Sequence, residues 1–141
     1  MAETTLNATV RETRDSTFAT EMVVDGHVLK SDQSLTAGGK SLGPTPHEVL
    51  LASLGACTAQ TVRWYALHHN MPLDSVDVEL AYRHEPVEGH RGLADVFTKV
   101  VHLTGPSLTE EMRAKLLDAA AKCPIQRLLE GNPIIRTSAG V

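Results

Sequence analysis

Two cysteines are the residues of this sequence with the most distinctive chemistry. The 141-residue chain holds only Cys57 and Cys123. A free cysteine is a small hydrophobe when buried and a nucleophile when ionised. Cys57 lies in an apolar stretch, which favours an inert thiol, whereas Cys123 precedes Pro124 where a predicted helix ends and a sulfur can be accessible. The sequence leaves two interpretations open, a pair of inert core thiols or a redox pair.

A reactive thiol needs its thiolate stabilised by a nearby cation or a helix N-terminus. The helix dipole acts only within the terminal turns, so a cysteine in mid-helix gains little from it. The cation must therefore come from elsewhere in the chain. The candidates are two residues near one cysteine or the other in sequence and two near the N-terminus: Arg63, Lys122, Arg11 and Arg14.

Other site chemistries are poorly supported by the residue spacing. The seven histidines form neither a HExxH nor a comparable metal-binding pattern, and the rings of adjacent His68 and His69 point about 100° apart on a helix. The segment Gly38-Gly39-Lys40-Ser41 ends like a phosphate-binding loop but lacks the upstream glycine at the required spacing. We expect no metal and no bound cofactor.

Composition narrows the class of protein further. Hydrophobic residues make up 42% and charged residues 21% of the chain, with a net charge of −4. These values are typical of a globular protein, and the absence of a basic block argues against a nucleic-acid partner. No apolar run approaches 18 residues, so no membrane partner is expected. We expect a single domain over residues 1–141 and, by default, a cytoplasmic location.

The order of predicted elements gives the fold class. Alternating and β-branched segments predict a β-meander, with Asp25-Gly26 as a hairpin turn. Thr45, Pro46 and Glu48 form a capping box that opens a helix reaching His68 or His69, buried on most faces between Val49 and Ala59. The strands are predicted over residues 5–10, 17–24, 27–29, 76–81, 96–103 and 133–137. A second capping box at Ser107 and Glu110 predicts a helix to about Lys122, and a short helix follows over 125–130. This order indicates an α+β fold.

Two segments centred on the cysteines resemble a known family. The run from Gly43 to Thr58, GPTPHEVLLASLGACT, resembles the central helix of the OsmC/Ohr family, and AAAKCPI around Cys123 is similar to its second cysteine motif. The resemblance covers nearly the whole chain and is closer to the OsmC-like branch than to Ohr itself. It implies an α+β fold with antiparallel sheets around two central helices in an intertwined homodimer. The implied activity is thiol-dependent reduction of organic hydroperoxides.

The resemblance also implies roles for individual residues. Cys57 matches the attacking cysteine, Cys123 the resolving cysteine and Arg14 the arginine that activates the thiolate. Glu48 is the best match to the family glutamate near the helix start, although His47 holds the position directly after the proline, where Ohr-type sequences have the glutamate. The expected partners are a second copy of the chain, an organic hydroperoxide and an external dithiol reductant such as a lipoylated protein.

The spacing of Glu48 and Cys57 bears on how such a site is assembled. Nine residues on a straight helix correspond to about 13.5 Å of rise and about 180° of rotation. One straight helix therefore cannot bring both side chains to one site. A bend near Gly55 would help, but a Glu48 contributed by the partner subunit is the simpler arrangement.

Two other functions remain open on the sequence. The same cysteine pair could signal oxidation instead of turning over, in which case oxidation is fast and turnover slow. Alternatively, the chain could be a non-catalytic member of the fold that binds small hydrophobic ligands, an interpretation that His47 keeps open.

Overall fold

The fold is described from a computed structural model that covers residues 5–140. The predicted α+β class and the antiparallel sheets are confirmed. The chain divides into two compact units, residues 1–50 and 51–141, with the boundary inside the long helix. The expectation of a single domain over 1–141 stays a prediction. No helix within residues 5–140 is long and apolar enough to cross a membrane.

The first unit contains a three-stranded antiparallel sheet of β1 (Thr9–Glu12), β2 (Thr20–Val24) and β3 (His27–Ser31), in that order. Asp25 and Gly26 both have positive φ, as a two-residue hairpin turn requires, so the predicted turn is confirmed. The first two strands begin later than predicted, at Thr9 and Thr20. Residues 14–18 form a bend instead, in which Arg14 has a left-handed φ of 68°.

The helix α1 (Pro46–His68) begins at the predicted capping box. The Thr45 N–H donates to Glu48 Oε1 at 2.9 Å, and the Glu48 N–H donates to Thr45 Oγ1 at 3.3 Å. Only one narrow stripe of this helix is buried, formed by Leu54, Thr58, Val62 and Ala66. The expectation that residues 49–59 are buried on most faces is therefore wrong for the single chain.

The second unit is built on the hairpin of β4 (Ser75–Pro86) and β5 (Leu93–Thr104). Both strands are longer than predicted, because the pairing continues to Pro86 and Leu93 and leaves only residues 87–92 as loop. Buried apolar side chains from α1, from the hairpin's flanks and from α2 (Glu110–Ala120) form the core of this unit. Its members are Val62, Ala66, Leu73, Leu108, Leu116 and Ala120.

The last elements differ from the prediction in two places. Thr109, and not Ser107, caps α2, because its Oγ1 accepts the Met112 N–H at 3.1 Å. The short helix α3 (Pro124–Glu130) is confirmed. The predicted strand over residues 133–137 is wrong: this segment pairs with no strand within residues 5–140, and Ile134 and Ile135 are 77% and 85% exposed.

Candidate active site

The structure brings the two cysteines together. Cys57 lies on α1 and Cys123 directly precedes α3, and the Cys57 side chain lies close enough to Cys123 to lower the pKa of its thiol. Both are free thiols, with Cys57 half-buried and Cys123 fully buried. A reagent from solvent therefore reaches Cys57 first, and the Cys123 sulfur is placed behind it.

Cys123 is fixed by its role as the N-cap of α3. Its Sγ accepts the backbone N–H of Gln126 at 3.4 Å, and Pro124 occupies the first turn, where its missing N–H has no cost. Ser, Thr, Asp or Asn usually fill this capping position. The cap thus holds a sulfur where most helices hold an oxygen. On its other side, Thr58 Oγ1 lies 3.5 Å from the Cys123 Sγ.

A lysine on β5 completes this cluster. Lys99 Nζ donates to Thr58 Oγ1 at 2.9 Å and to the carbonyl oxygen of Ala120 at 2.8 Å. Its position follows from the strand register, because Lys99 is paired with Leu80, and paired residues of antiparallel strands point to the same face. A Cβ on Gly55 would lie 2.5 Å from Leu80 Cδ1, so this face of the hairpin packs closely on α1.

These neighbours determine the ionisation of Cys123. Burial raises the pKa of the thiol, but hydrogen bonds from Thr58, Gln126 and Cys57, together with the positive charge of Lys99, outweigh burial. The pKa of Cys123 is therefore lowered from its ordinary value of 9.0. The fold stabilises the thiolate of the buried cysteine.

The cations that the sequence suggested have other partners or lie in the first unit. The Arg63 guanidinium donates to the carbonyl oxygens of Leu73 and Asp74 at 2.6 and 2.9 Å, and Lys122 Nζ lies 2.9 Å from Asp118 Oδ2. Sequence reasoning missed Lys99, because a lone lysine in a predicted strand carries no local signal of its contacts. Only the pairing of Lys99 with Leu80 shows on which face of the hairpin it lies.

Arg14 and Glu48 belong to the first compact unit, and their predicted roles toward Cys57 stay predictions. The Arg14 side chain is exposed in the bend after β1. Hydrogen bonds from the backbone and the hydroxyl of Thr45 lower the pKa of Glu48, although burial raises it. Glu48 therefore carries its charge at neutral pH, beside the exposed His47 at the start of α1.

No group of three or more His, Cys, Asp and Glu side chains within residues 5–140 is placed to hold a metal ion. The chemistry that the geometry displays is that of two thiols, one accessible and one buried. These thiols lie among a hydroxyl, a backbone N–H and an ammonium group. Such an arrangement can form and open a disulfide.

Comparison with known proteins identifies the family. The family model described as OsmC-like protein matches residues 38–138, so the chain belongs to the OsmC-like family. No curated protein matches the chain.

Solved structures with a similar fold include members of both branches. An OsmC-like protein from Mycoplasma pneumoniae has a TM-score of 0.73 and 19% identity, over 92% of this chain and 90% of its own. An organic hydroperoxide resistance protein OsmC from Legionella pneumophila has a TM-score of 0.66 and 20% identity, over 94% and 93%. The organic hydroperoxide resistance protein OhrB of Bacillus subtilis has a TM-score of 0.61 and 22% identity, over 92% and 93%. These likenesses establish the OsmC-like fold.

Proposed function

We propose that this protein is a cysteine-based peroxidase that reduces organic hydroperoxides. The observation that carries the proposal is the contact between a half-buried Cys57 and a buried Cys123 whose thiolate is stabilised. Membership of the OsmC-like family and the hydroperoxide resistance proteins among the similar structures support a peroxidase-related function.

The first step takes place at Cys57. Its thiolate attacks the terminal oxygen of the hydroperoxide, an S–O bond forms and the O–O bond breaks. The alkoxide takes up a proton and leaves as the alcohol, and Cys57 becomes a sulfenic acid. Cys57 is assigned this step because it is the cysteine that solvent reaches.

The second step joins the two cysteines. The Cys123 thiolate attacks the sulfenic sulfur of Cys57, an S–S bond forms and the S–O bond breaks. The hydroxide that leaves takes up a proton and becomes water. The proximity of the two thiols supports this step, since the Cys57 side chain lies close enough to Cys123 to lower the pKa of its thiol. An external dithiol then reduces the disulfide by exchange and is itself oxidised to a disulfide.

The apolar side chains near the cysteines in the sequence favour an organic peroxide over hydrogen peroxide. Ile125 is half-buried and Leu128 is 53% exposed on α3, so both offer apolar surface that a hydrocarbon substituent can cover. Leu50 is also partly exposed. Leu54 is buried and belongs to the packed stripe of α1, so it is not part of the proposed substrate surface.

A homodimer belongs to this proposal. Trp64 and Leu67 on α1 are 57% and 65% exposed, and two large apolar side chains exposed three residues apart on one helix are typical of a surface that a partner covers. Because α1 is continuous from Pro46 to His68, Glu48 is proposed to serve Cys57 of the partner subunit, with Arg14 holding the Cys57 thiolate. A strictly monomeric variant that kept full turnover would contradict a Glu48 acting between subunits.

The decisive experiment is mass spectrometry after stoichiometric oxidation. Reduced protein is mixed with one equivalent of cumene hydroperoxide, and we expect a loss of two hydrogen atoms with Cys57 and Cys123 linked in the peptide map. Cys123→Ser is expected to gain one oxygen at Cys57, which dimedone traps. Cys57→Ser is the matched control and should form no disulfide. An unchanged mass and an unoxidised Cys57 in the wild type would overturn the proposal.

A further inference from the structure

Lys99 has an unusual setting for a lysine. Its ammonium group is half-buried and donates to one side-chain hydroxyl and one carbonyl, those of Thr58 and Ala120. It forms no salt bridge with a carboxylate within residues 5–140. Partial burial of a cation without a counter-ion is unfavourable. Its charge is therefore available to a negative group that forms only during a reaction.

Thr58 connects this cation to the buried sulfur. Its Oγ1 accepts from Lys99 and lies 2.8 Å from the Leu54 carbonyl oxygen and 3.5 Å from the Cys123 Sγ. Because a hydroxyl has one hydrogen, it can donate to only one of the latter two. When Cys123 is a thiol, its S–H donates to Thr58 while Thr58 donates to Leu54. When Cys123 is a thiolate, the Thr58 hydroxyl is free to turn and donate to the sulfur.

We propose that Lys99 is a positioning residue that acts through Thr58 to keep Cys123 ready as the thiolate in both halves of a disulfide cycle. The inference rests on the proposed function, because it assigns to Lys99 a part in the resolving and reducing steps. It concerns the sulfur that solvent does not reach, and it is separate from the activation of Cys57.

In the resolving step, the Cys123 thiolate supplies the electron pair of the new S–S bond, and hydroxide leaves from Cys57. In the reducing step, the thiolate of a dithiol attacks the accessible Cys57 sulfur, and the S–S bond breaks toward Cys123, which leaves as a thiolate. The second thiol of the reductant then releases the Cys57 thiolate and closes the reductant's own disulfide. A more stable leaving thiolate leaves faster. Lys99 therefore assists both the formation of the disulfide and its reduction.

The surroundings of Cys123 agree with this assignment. The titratable groups that face it are Cys57 from α1 and Lys99 from β5, whereas neighbouring Lys122 is paired with Asp118. Among these groups Lys99 is the cation whose charge lowers the pKa of Cys123. Neither Arg63 nor Lys122, the candidate cations of the second unit, is among the groups that lower the pKa of Cys123.

The first test measures thiolate formation without any peroxide. In a Cys57→Ser background, the pH titration of thiolate absorbance in the ultraviolet reports Cys123 alone. We expect Lys99→Met to raise the midpoint by about one pH unit, the size typical of losing a nearby charge. Lys99→Arg should restore most of the shift. Lys115→Met, which removes an exposed lysine of α2, is the matched control and should leave the midpoint unchanged.

The second test follows the cycle in proteins with both cysteines. At neutral pH, Lys99→Met should slow disulfide formation from the sulfenic acid about threefold, since the lower thiolate fraction is partly offset by higher nucleophilicity. The preceding oxidation of Cys57 should keep its wild-type rate. Thr58→Val, which keeps the shape but removes the hydroxyl, should reproduce the slower resolving step and serves also if Lys99→Met does not fold.

The outcomes separate this inference from the proposed function. If Lys99→Met and Thr58→Val, each in the Cys57→Ser background, both kept the wild-type midpoint of the Cys123 thiolate titration, the role of Lys99 would be overturned, whatever the peroxidase assay shows. A wild-type protein that cumene hydroperoxide does not oxidise would overturn the proposed function and the resolving role. The titration would still decide whether Lys99 holds the thiolate.

Discussion

Asp32 in the first unit and Cys123 in the second are both buried among hydrogen-bond donors, but the donors differ in kind. The Asp32 carboxylate accepts from the Ser16 hydroxyl at 2.8 Å. It also accepts three backbone N–H groups at 2.7 to 3.3 Å, those of Gln33, Lys40 and Leu42. Cys123 accepts one backbone N–H and is otherwise surrounded by the side chains of Thr58, Cys57 and Lys99.

The difference shows how a buried hydrogen-bond acceptor can serve structure or chemistry. Backbone donors cannot turn away, so Asp32 organises the loop over residues 33–42 around a permanent charge. The loop approaches so closely that a Cβ on Gly39 would lie 2.7 Å from Asp32 Oδ1. Side-chain donors can reorient, so they suit a sulfur that is a thiol, a thiolate and a disulfide in turn.

The largest expected effect is the loss of stability when the Asp32 carboxylate is removed. Asp32→Ala leaves three backbone N–H groups without their acceptor, and unsatisfied buried donors are expensive. We expect the melting temperature to fall by about 10 °C, measured by circular dichroism.

Asp77→Ala is the matched control, because Asp77 is an exposed aspartate on β4. It should change the melting temperature by no more than about 2 °C. Equal melting temperatures for the two variants would show that the loop does not depend on the carboxylate, and the contrast with Cys123 would fail.

Acid should remove the same stabilisation gradually. Burial raises the pKa of Asp32, but the hydrogen bonds from Ser16 and the backbone outweigh burial and leave its pKa below the ordinary 3.8. A lowered pKa in the folded state gives stability that is complete above the unfolded pKa, about 3.9, and lost as the pH falls through the folded value. The difference in melting temperature between wild type and Asp32→Asn should therefore be constant above about pH 5 and shrink below about pH 3. A difference that grew on acidification would contradict the sign.

The smallest effect is expected at the buried cysteine. Cys123→Ala removes the N-cap of α3 and should lower the free energy of unfolding by about 1 kcal/mol in urea denaturation. Cys123→Ser keeps a capping atom and should stay within about 0.5 kcal/mol of wild type. Both variants are expected to lose the disulfide-forming cycle. A loss of stability as large as that of Asp32→Ala would mean that this sulfur serves structure first.

Much of the fold could be predicted because its signals are local. The Asp25-Gly26 turn and the Thr45–Glu48 capping box depend on neighbouring residues, and both are present as expected. The strand predicted over residues 133–137 is absent, because the prediction rested only on the apolar β-branched residues of that segment. A strand needs a partner, and partners are set by the whole chain. The start of α2 was predicted at Ser107 because Glu110 follows three residues later, but the helix is capped by Thr109, two residues further along the chain.

The candidate site was predictable in part for the same reason. Each cysteine lies in a distinctive local motif, and the structure brings the two together. The cation near Cys123 comes from a strand 24 residues earlier in the chain and depends on the pairing of Lys99 with Leu80. Asp32 was missed because an aspartate in a loop is commonly solvated, and only the folded loop shows its four donors.

The pairing of Leu80 with Lys99 also sets which insertions and deletions this protein can tolerate. Side chains alternate between the two faces of a strand, so a one-residue deletion between Leu93 and Lys99 would turn the lysine away from Thr58 and present its neighbour instead. Residues added within 87–92 only lengthen the loop and leave the pairing intact. Natural length variation in the hairpin should therefore gather at its tip, and the stretch between the tip and Lys99 should keep a constant length.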